Sequence, residues 1–168
     1  PTLFRSVRGR GVRLNVVITG AGGQVGSERG RRAPAWLAVV LLASRQCDVG
    51  DPAAVREVIE RERPDVLINA AAYTAVDKAE SEPDQATRVN ALGPRYLADS
   101  GPHRLLHIST DFVFDGTKGS AYRPEDATNP LSVYGRTKLE GEAPVVALGV
   151  RGLVLRTSWV YSSEGSNF

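Results

Sequence analysis

The sequence predicts an α/β domain: a parallel sheet with helices on both faces. Three observations predict it. Short, near-continuous apolar runs alternate with segments of helical period, and the first run ends in a glycine-rich turn. The length, 168 residues, suits one domain with a sizeable core. No internal repeat or low-complexity linker interrupts the series.

The elements follow in order. Leu14 to Thr19 reads as a buried strand, and Ala38 to Ala43 as a second. Asp51 and Pro52 open a helix as N-cap and first helical residue, with Val55, Val58 and Ile59 on its apolar face. Val66 to Ala70 is the next strand. A helix is expected from about Ser81-Glu82-Pro83 past Asn90, kinked at Pro94. Leu105 to Ser109 is a strand, Val133 to Val146 contains a helix, and Leu153 to Thr157 closes the series. Together these make a Rossmann-type, doubly wound parallel sheet over residues 14–168, preceded at 1–13 by a basic tail expected to be solvated.

The first strand runs into Gly20-Ala21-Gly22-Gly23-Gln24-Val25-Gly26. Gly20, Gly23 and Gly26 allow a tight turn and close approach of backbone to a pyrophosphate. The helix opening at Gln24 and Val25 adds N–H donors and a positive dipole. The alternative is a structural turn between strand and helix. Beyond it, Gly30 and Pro34 disfavour a long helix, so either this helix is short and distorted or the sequence has been altered here. After strand two, Arg45 favours the 2′-phosphate of NADP, whereas Asp48, with Val49 beside it, sits near the spacing of a ribose-binding acid and favours NAD. NADPH is the preferred reading, NADH the alternative.

Tyr134 and Lys138 stand at i and i+4 of one helix and share a face. An ammonium beside a phenol favours tyrosinate, so Tyr134 is expected below its ordinary pKa and suited to act as a general acid for carbonyl reduction. The same spacing also occurs as a solvated surface pair. Thr110, Asp111 and Asp115 follow a strand whose C-terminal end faces the ligand crevice of such a sheet.

Taken together, the glycine turn, Asn69-Ala70-Ala71-Ala72-Tyr73-Thr74-Ala75-Val76-Asp77-Lys78-Ala79-Glu80, Val89 to Pro94, His107 to Gly116, Tyr134 to Lys138 and Arg156-Thr157-Ser158-Trp159-Val160-Tyr161 resemble, in this order, the dTDP-4-dehydrorhamnose reductases of the extended short-chain dehydrogenase/reductase superfamily. The resemblance implies that Tyr134 protonates the C4 oxygen of the keto-sugar. Lys138 would bind the nicotinamide ribose and lower the phenol pKa, and Thr110 would orient the carbonyl. It implies Gly20, Gly23 and Gly26 along the pyrophosphate and Ala70, Ala71, Ala72 and Tyr73 along the adenosine ribose. Asn90 would be a structural asparagine beside the cofactor, and Thr74, Val76, Asp111, Phe112 and Trp159 would lie toward the sugar. The implied partner is a dTDP-linked deoxyhexose, in an assembly compatible with a homodimer.

The resemblance also implies a substrate lobe beyond Phe168 that is largely absent from this sequence, so weak or no turnover is expected of this stretch alone. Ala98 to Pro102 looks shortened, with an early helix end. Two rivals stay open: a binding subunit like the regulatory subunit of methionine adenosyltransferase, and another extended reductase or epimerase acting on a UDP- or GDP-sugar.

Composition narrows the classes. A net charge of +2 gives no argument for nucleic acid, and no apolar run reaches membrane-spanning length, so neither nucleic acid nor membrane is an expected partner. With Cys47 the only cysteine, nothing requires an oxidising compartment, and a cytoplasmic location is expected. No cluster has metal-ligand spacing, so no metal is expected. His107 reads as a packed strand histidine and His103 as a surface residue.

Overall fold

The computed structural model describes residues 13–161; nearly all of the expected basic tail lies outside them. Five strands, β1 (Leu14–Thr19), β2 (Leu37–Leu42), β3 (Val66–Asn69), β4 (Leu105–Thr110) and β5 (Gly152–Thr157), form one sheet in the order β2-β1-β3-β4-β5. Every pairing is parallel, with Val17 opposite both Val40 and Leu67.

The connecting helices are α1 (Gln24–Arg31), α2 (Pro52–Glu62), α3 (Val76–Ser81), α4 (Pro83–Thr87), α5 (Gly93–Asp99) and α6 (Val133–Val146). α1 lies against β1 and β2, whereas α2 packs on α5 and α5 on α6. Right-handed crossovers that leave β1 in one direction and return past it in the other put α1 on one face and α2, α5 and α6 on the opposite one. The core sits under this second face, where Val17, Leu67 and Leu105 of the sheet meet Val55, Leu97 and Val145 of the helices. Each such side chain, taken fully out of water, contributes about 1.5–3 kcal/mol.

The strand and helix order follows the sequence pattern, with shifts of one residue at the ends of β2, β3, β4 and β5. Asp51 caps α2 as expected, its side chain accepting from the Ala53 N–H. α1 is short but a regular eight-residue helix. A Cβ on Gly30 would meet only the end of the exposed Leu41 side chain, 3.0 Å from Cδ2, so α1 packs close over β2 here. Pro34 falls beyond the helix end.

The helix expected from residue 81 is preceded by a separate turn of helix, α3, that its polar composition concealed. The expected kink at Pro94 is instead a π-helical segment, Arg88–Leu92, ahead of the proline. Pro94 has no N–H to donate, its ring excludes a normal turn, and the Gly93 N–H bonds the Arg88 carbonyl five residues back. The early helix end after Ala98 holds: α5 stops at Asp99, and Gly101 takes φ +71°.

Candidate active site cleft

A cleft of about 1310 Å³ opens along the C-terminal ends of β1, β3, β4 and β5. Ligand crevices of open α/β sheets lie at this edge, where the chain reverses its winding direction. Here that point is between β1 and β3.

The glycine turn forms one end. Gly20 takes φ +73°, and a Cβ there would lie 2.5 Å from the Ala70 carbonyl carbon, so the turn and the β3 end close together only with glycine. Gly23, Gln24 and Val25 line the cleft and present the start of α1 to it. Nothing lies within 4 Å of a Cβ on Gly22. Gly26 does not line the cleft. A Cβ there would collide with the Gly20 carbonyl and come within 2.7 Å of the Ala21 Cα, so Gly26 seats α1 on the turn and has no pyrophosphate-facing surface.

Beside the turn, Ala43, Ser44, Cys47, Asp48 and Val49 form the wall after β2. Arg45 is exposed and stands outside this wall, next to Ser44. Asp48 is on the wall, although it lies well past the strand. Burial raises its carboxyl, but hydrogen bonds from Arg88 and the Gly50 N–H, with the Arg88 charge, outweigh this and hold it below its ordinary value. Arg88, at 2.9 Å from Asp48, also lines the cleft. Sequence reasoning missed Arg88, because nothing local links it to a residue forty positions away. The Cys47 thiol is buried and raised, chiefly by that burial.

Ala70, Ala71, Ala72, Tyr73, Thr74 and Val76 make the floor. Asn90 is not on it. Its side chain binds the Tyr73 backbone and Thr137 from beneath, so it supports the floor and does not face a ligand. Tyr73 donates its hydroxyl proton to Glu82 at 2.7 Å.

The other end holds Thr110, Asp111, Phe112, Tyr134, Lys138 and Trp159. Ser132 caps α6 by accepting from the Gly135 N–H, which fixes the register that places Tyr134 and Lys138 one turn apart on the cleft side. A Cβ on Gly135 would strike the Phe112 carbonyl, so a glycine between them lets α6 approach the loop after β4. The Tyr134 phenol and the Thr110 hydroxyl both line this end, with the hydroxyl close enough to act on the phenol. Phe112 packs edge-on to Tyr134 at 5.6 Å. Asp111 accepts from Thr110 at 3.1 Å and from Ser158 at 2.7 Å.

Lys138 is buried and donates to the Ile108 carbonyl at 2.6 Å. The expected lowering of the phenol pKa is not what the structure shows. Burial pushes Tyr134 up and Asp111 adds to the rise, while only the nearby Thr110 hydroxyl opposes it. The Lys138 ammonium points at β4 and does not offset the loss of water around the phenol. Asp115, also expected near the crevice, organises the following loop instead. It accepts from Thr117, Tyr122 and Asn129, which together hold it far below its ordinary value.

A family model described as the RmlD substrate binding domain matches residues 14–168. The chain belongs to this family. Among curated family relatives, dTDP-4-dehydrorhamnose reductase of Mycolicibacterium smegmatis is 48% identical over 162 residues, covering 91% of this chain and 48% of that protein. The enzyme of the same name from Mycobacterium tuberculosis is 48% identical over 169 residues, covering 95% and 54%. The chain thus spans about half the length of the curated relatives it matches. Among solved structures, a Bacillus anthracis dTDP-4-dehydrorhamnose reductase in complex with NADP superposes with a TM-score of 0.89 at 34% identity, covering 94% of this chain and 57% of that one. A Campylobacter jejuni UDP-Glc/GlcNAc 4-epimerase, at 18% identity and TM-score 0.71, shares the fold.

Among the described residues, no helix is long and apolar enough to cross a membrane, and no three His, Cys, Asp or Glu side chains are grouped to hold a metal ion.

Proposed function

We propose that this chain is the cofactor-binding and proton-donating half of a reductase that uses NADPH to reduce the C4 keto group of dTDP-4-dehydro-L-rhamnose to the alcohol of dTDP-L-rhamnose, in the cytoplasm. The observation that carries the reading is one cleft with a glycine turn at one end and Thr110, Tyr134 and Lys138 together at the other. The cradle fits a dinucleotide, because Gly20 lacks the Cβ that would close it and the start of α1 supplies N–H donors to a pyrophosphate.

In this reading the bound nicotinamide supplies the hydride to C4. The chain supplies the rest. Gly20, Gly23, Gln24 and Val25 hold the pyrophosphate, and Ala70 to Tyr73 the adenosine side. Arg45 reaches a 2′-phosphate from outside the wall, and Asp48 and Val49 close the adenosine end. Thr110 and Tyr134 donate to the carbonyl oxygen, and Tyr134 delivers its proton as negative charge grows there. A raised phenol pKa keeps that proton in place until the oxygen becomes basic enough to take it. Lys138 bonds the nicotinamide ribose, while Thr74, Val76, Asp111, Phe112 and Trp159 face the sugar. The intact trio of Thr110, Tyr134 and Lys138 supports an enzyme over a binding subunit.

Titrating the chain with NADPH and with NADH, followed by nicotinamide fluorescence, tests the reading. Saturable binding, tighter for NADPH, is expected. A folded chain that binds neither cofactor would overturn the assignment of the cleft.

A further inference from the structure

Lys138 stands between α6 and β4 with its ammonium nitrogen near two groups, the Ile108 carbonyl at 2.6 Å and the His107 Nε2 at 3.5 Å. What His107 presents at Nε2 is decided on its other side. The Asn69 Oδ1 accepts from the Ala71 backbone N–H at 3.1 Å and from the Thr19 hydroxyl at 2.8 Å. A backbone N–H can only donate, so the orientation of the Asn69 amide is determined. Its Nδ2 then donates to the His107 Nδ1 at 3.0 Å. A neutral imidazole whose Nδ1 accepts carries its proton on Nε2. His107 is fully buried, and that burial, with the Lys138 charge, keeps it neutral.

An ammonium has three donors and no lone pair, so it cannot accept from an N–H; a free amine can. We infer that Asn69 locks His107 as the Nε2–H tautomer, and that His107 thereby acts as a positioning residue that holds Lys138 when its side chain is the free amine. This rests on the reductase reading, in which Lys138 works beside Tyr134. The charged form turns its protons to the Ile108 carbonyl and the cleft, and the neutral form accepts from His107. Lys138 therefore keeps its place in the cleft wall in both forms.

The other charged and titratable groups around it are Tyr134 and Glu142 of its own helix, Arg156 of β5, which grips Glu142, and Asp111 beyond Tyr134. Burial lowers Lys138 to about 8, with Glu142 opposing, so both forms are accessible near neutrality.

The chain has two histidines and three lysines, Lys78, Lys118 and Lys138, so selective labelling reads these groups directly. With ¹⁵N-histidine and ¹³Cε-lysine, nuclear magnetic resonance should show His107 protonated at Nε2 and unprotonated at Nδ1, unchanged over about pH 6–9. Lys138 should titrate below Lys78. His107→Gln lets an amide oxygen turn to Lys138 and accept from its ammonium, so the Lys138 midpoint should rise by about one pH unit, a tenfold weaker acid.

A His107 proton on Nδ1, a His107 titrating near its ordinary value, or a Lys138 midpoint left unmoved by His107→Gln would each overturn the inference. If His107→Gln does not fold, the wild-type tautomer decides alone. None of these readings needs turnover, so failure of the reductase assignment would show separately, as failure to bind NADPH.

Discussion

The Asn90 side chain grips the backbone of Tyr73 from both sides: its Oδ1 accepts the Tyr73 N–H at 2.8 Å, and its Nδ2 donates to the Tyr73 carbonyl at 3.1 Å. The same Nδ2 reaches the Thr137 hydroxyl at 3.3 Å, tying the segment after β3 to α6. Buried backbone groups in an irregular segment need such partners, and here a side chain seventeen residues away supplies them.

Asn90→Ala leaves the part-buried Tyr73 backbone groups without their side-chain partners. The cost should be about 2–4 kcal/mol, since each unsatisfied buried group costs about 1–3. Because Tyr73 lies on the cleft floor, NADPH should also bind more weakly. Urea unfolding and cofactor titration measure the two effects, and an unfolding midpoint equal to wild type would count against the clamp.

Tyr134→Phe removes the proposed acid but keeps its ring against Phe112. In a full-length parent protein, turnover should fall about 10²–10⁴-fold, the usual worth of a positioned acid, with NADPH affinity nearly unchanged. Full activity in this variant would sink the assignment.

Lys138→Met should make the chain more stable at neutral pH. An ammonium that ionises at 10.5 in the unfolded chain and at about 8 when folded corresponds to a cost of about 3 kcal/mol. Between these values the unfolded chain binds the proton more tightly. The cost is therefore full below about pH 8 and declines as pH rises toward 10.5. Unfolding by urea at pH 7 should show a gain of about 1–3 kcal/mol, reduced by the unpaired Ile108 carbonyl, and this gain should shrink at pH 10. No gain at pH 7 would mean that the buried ammonium is better compensated than its contacts indicate.

Glu142→Ala leaves Arg156 without the carboxylate it grips at 2.7 and 3.0 Å, and removes the acceptor of the Ser109 hydroxyl at 2.6 Å. Breaking a buried pair on one side costs about 3–5 kcal/mol. Arg156 is partly exposed and also bonds the Pro124 carbonyl, so the loss should be about 2–4 kcal/mol. Glu142→Gln should recover part of it.

Arg45→Ala should weaken NADPH about tenfold, as expected of an exposed charge-assisted contact worth about 1.4 kcal/mol, and leave NADH unchanged. Equal weakening of both would move the 2′-phosphate contact elsewhere, with Arg88 the next side chain to test.

Much of the fold was legible because its signals are local. The apolar run at Val16-Val17-Ile18 ahead of a glycine turn marks a buried strand, Asp51-Pro52 marks a helix start, and the expected helix within Val133–Val146 fills that whole span. α3 was missed because Val76–Ser81 is short and polar, with no capping side chain to mark its start. Gly26 looked like its neighbours in the motif, yet only the approach of the Gly20 carbonyl shows that it serves packing.

What the sequence determined by itself was the order and type of the strands and helices, the glycine turn, and the i, i+4 placement of Tyr134 and Lys138, since backbone propensity and helical period act over a few residues. Only the tertiary structure decided which polar groups face the cleft and in what state. Asn69 meets His107 across 38 positions, Arg88 meets Asp48 across 40, and burial raises Tyr134 where the spacing alone predicted a fall. Desolvation and hydrogen-bond direction depend on everything packed around a group, and no run of neighbouring residues encodes them.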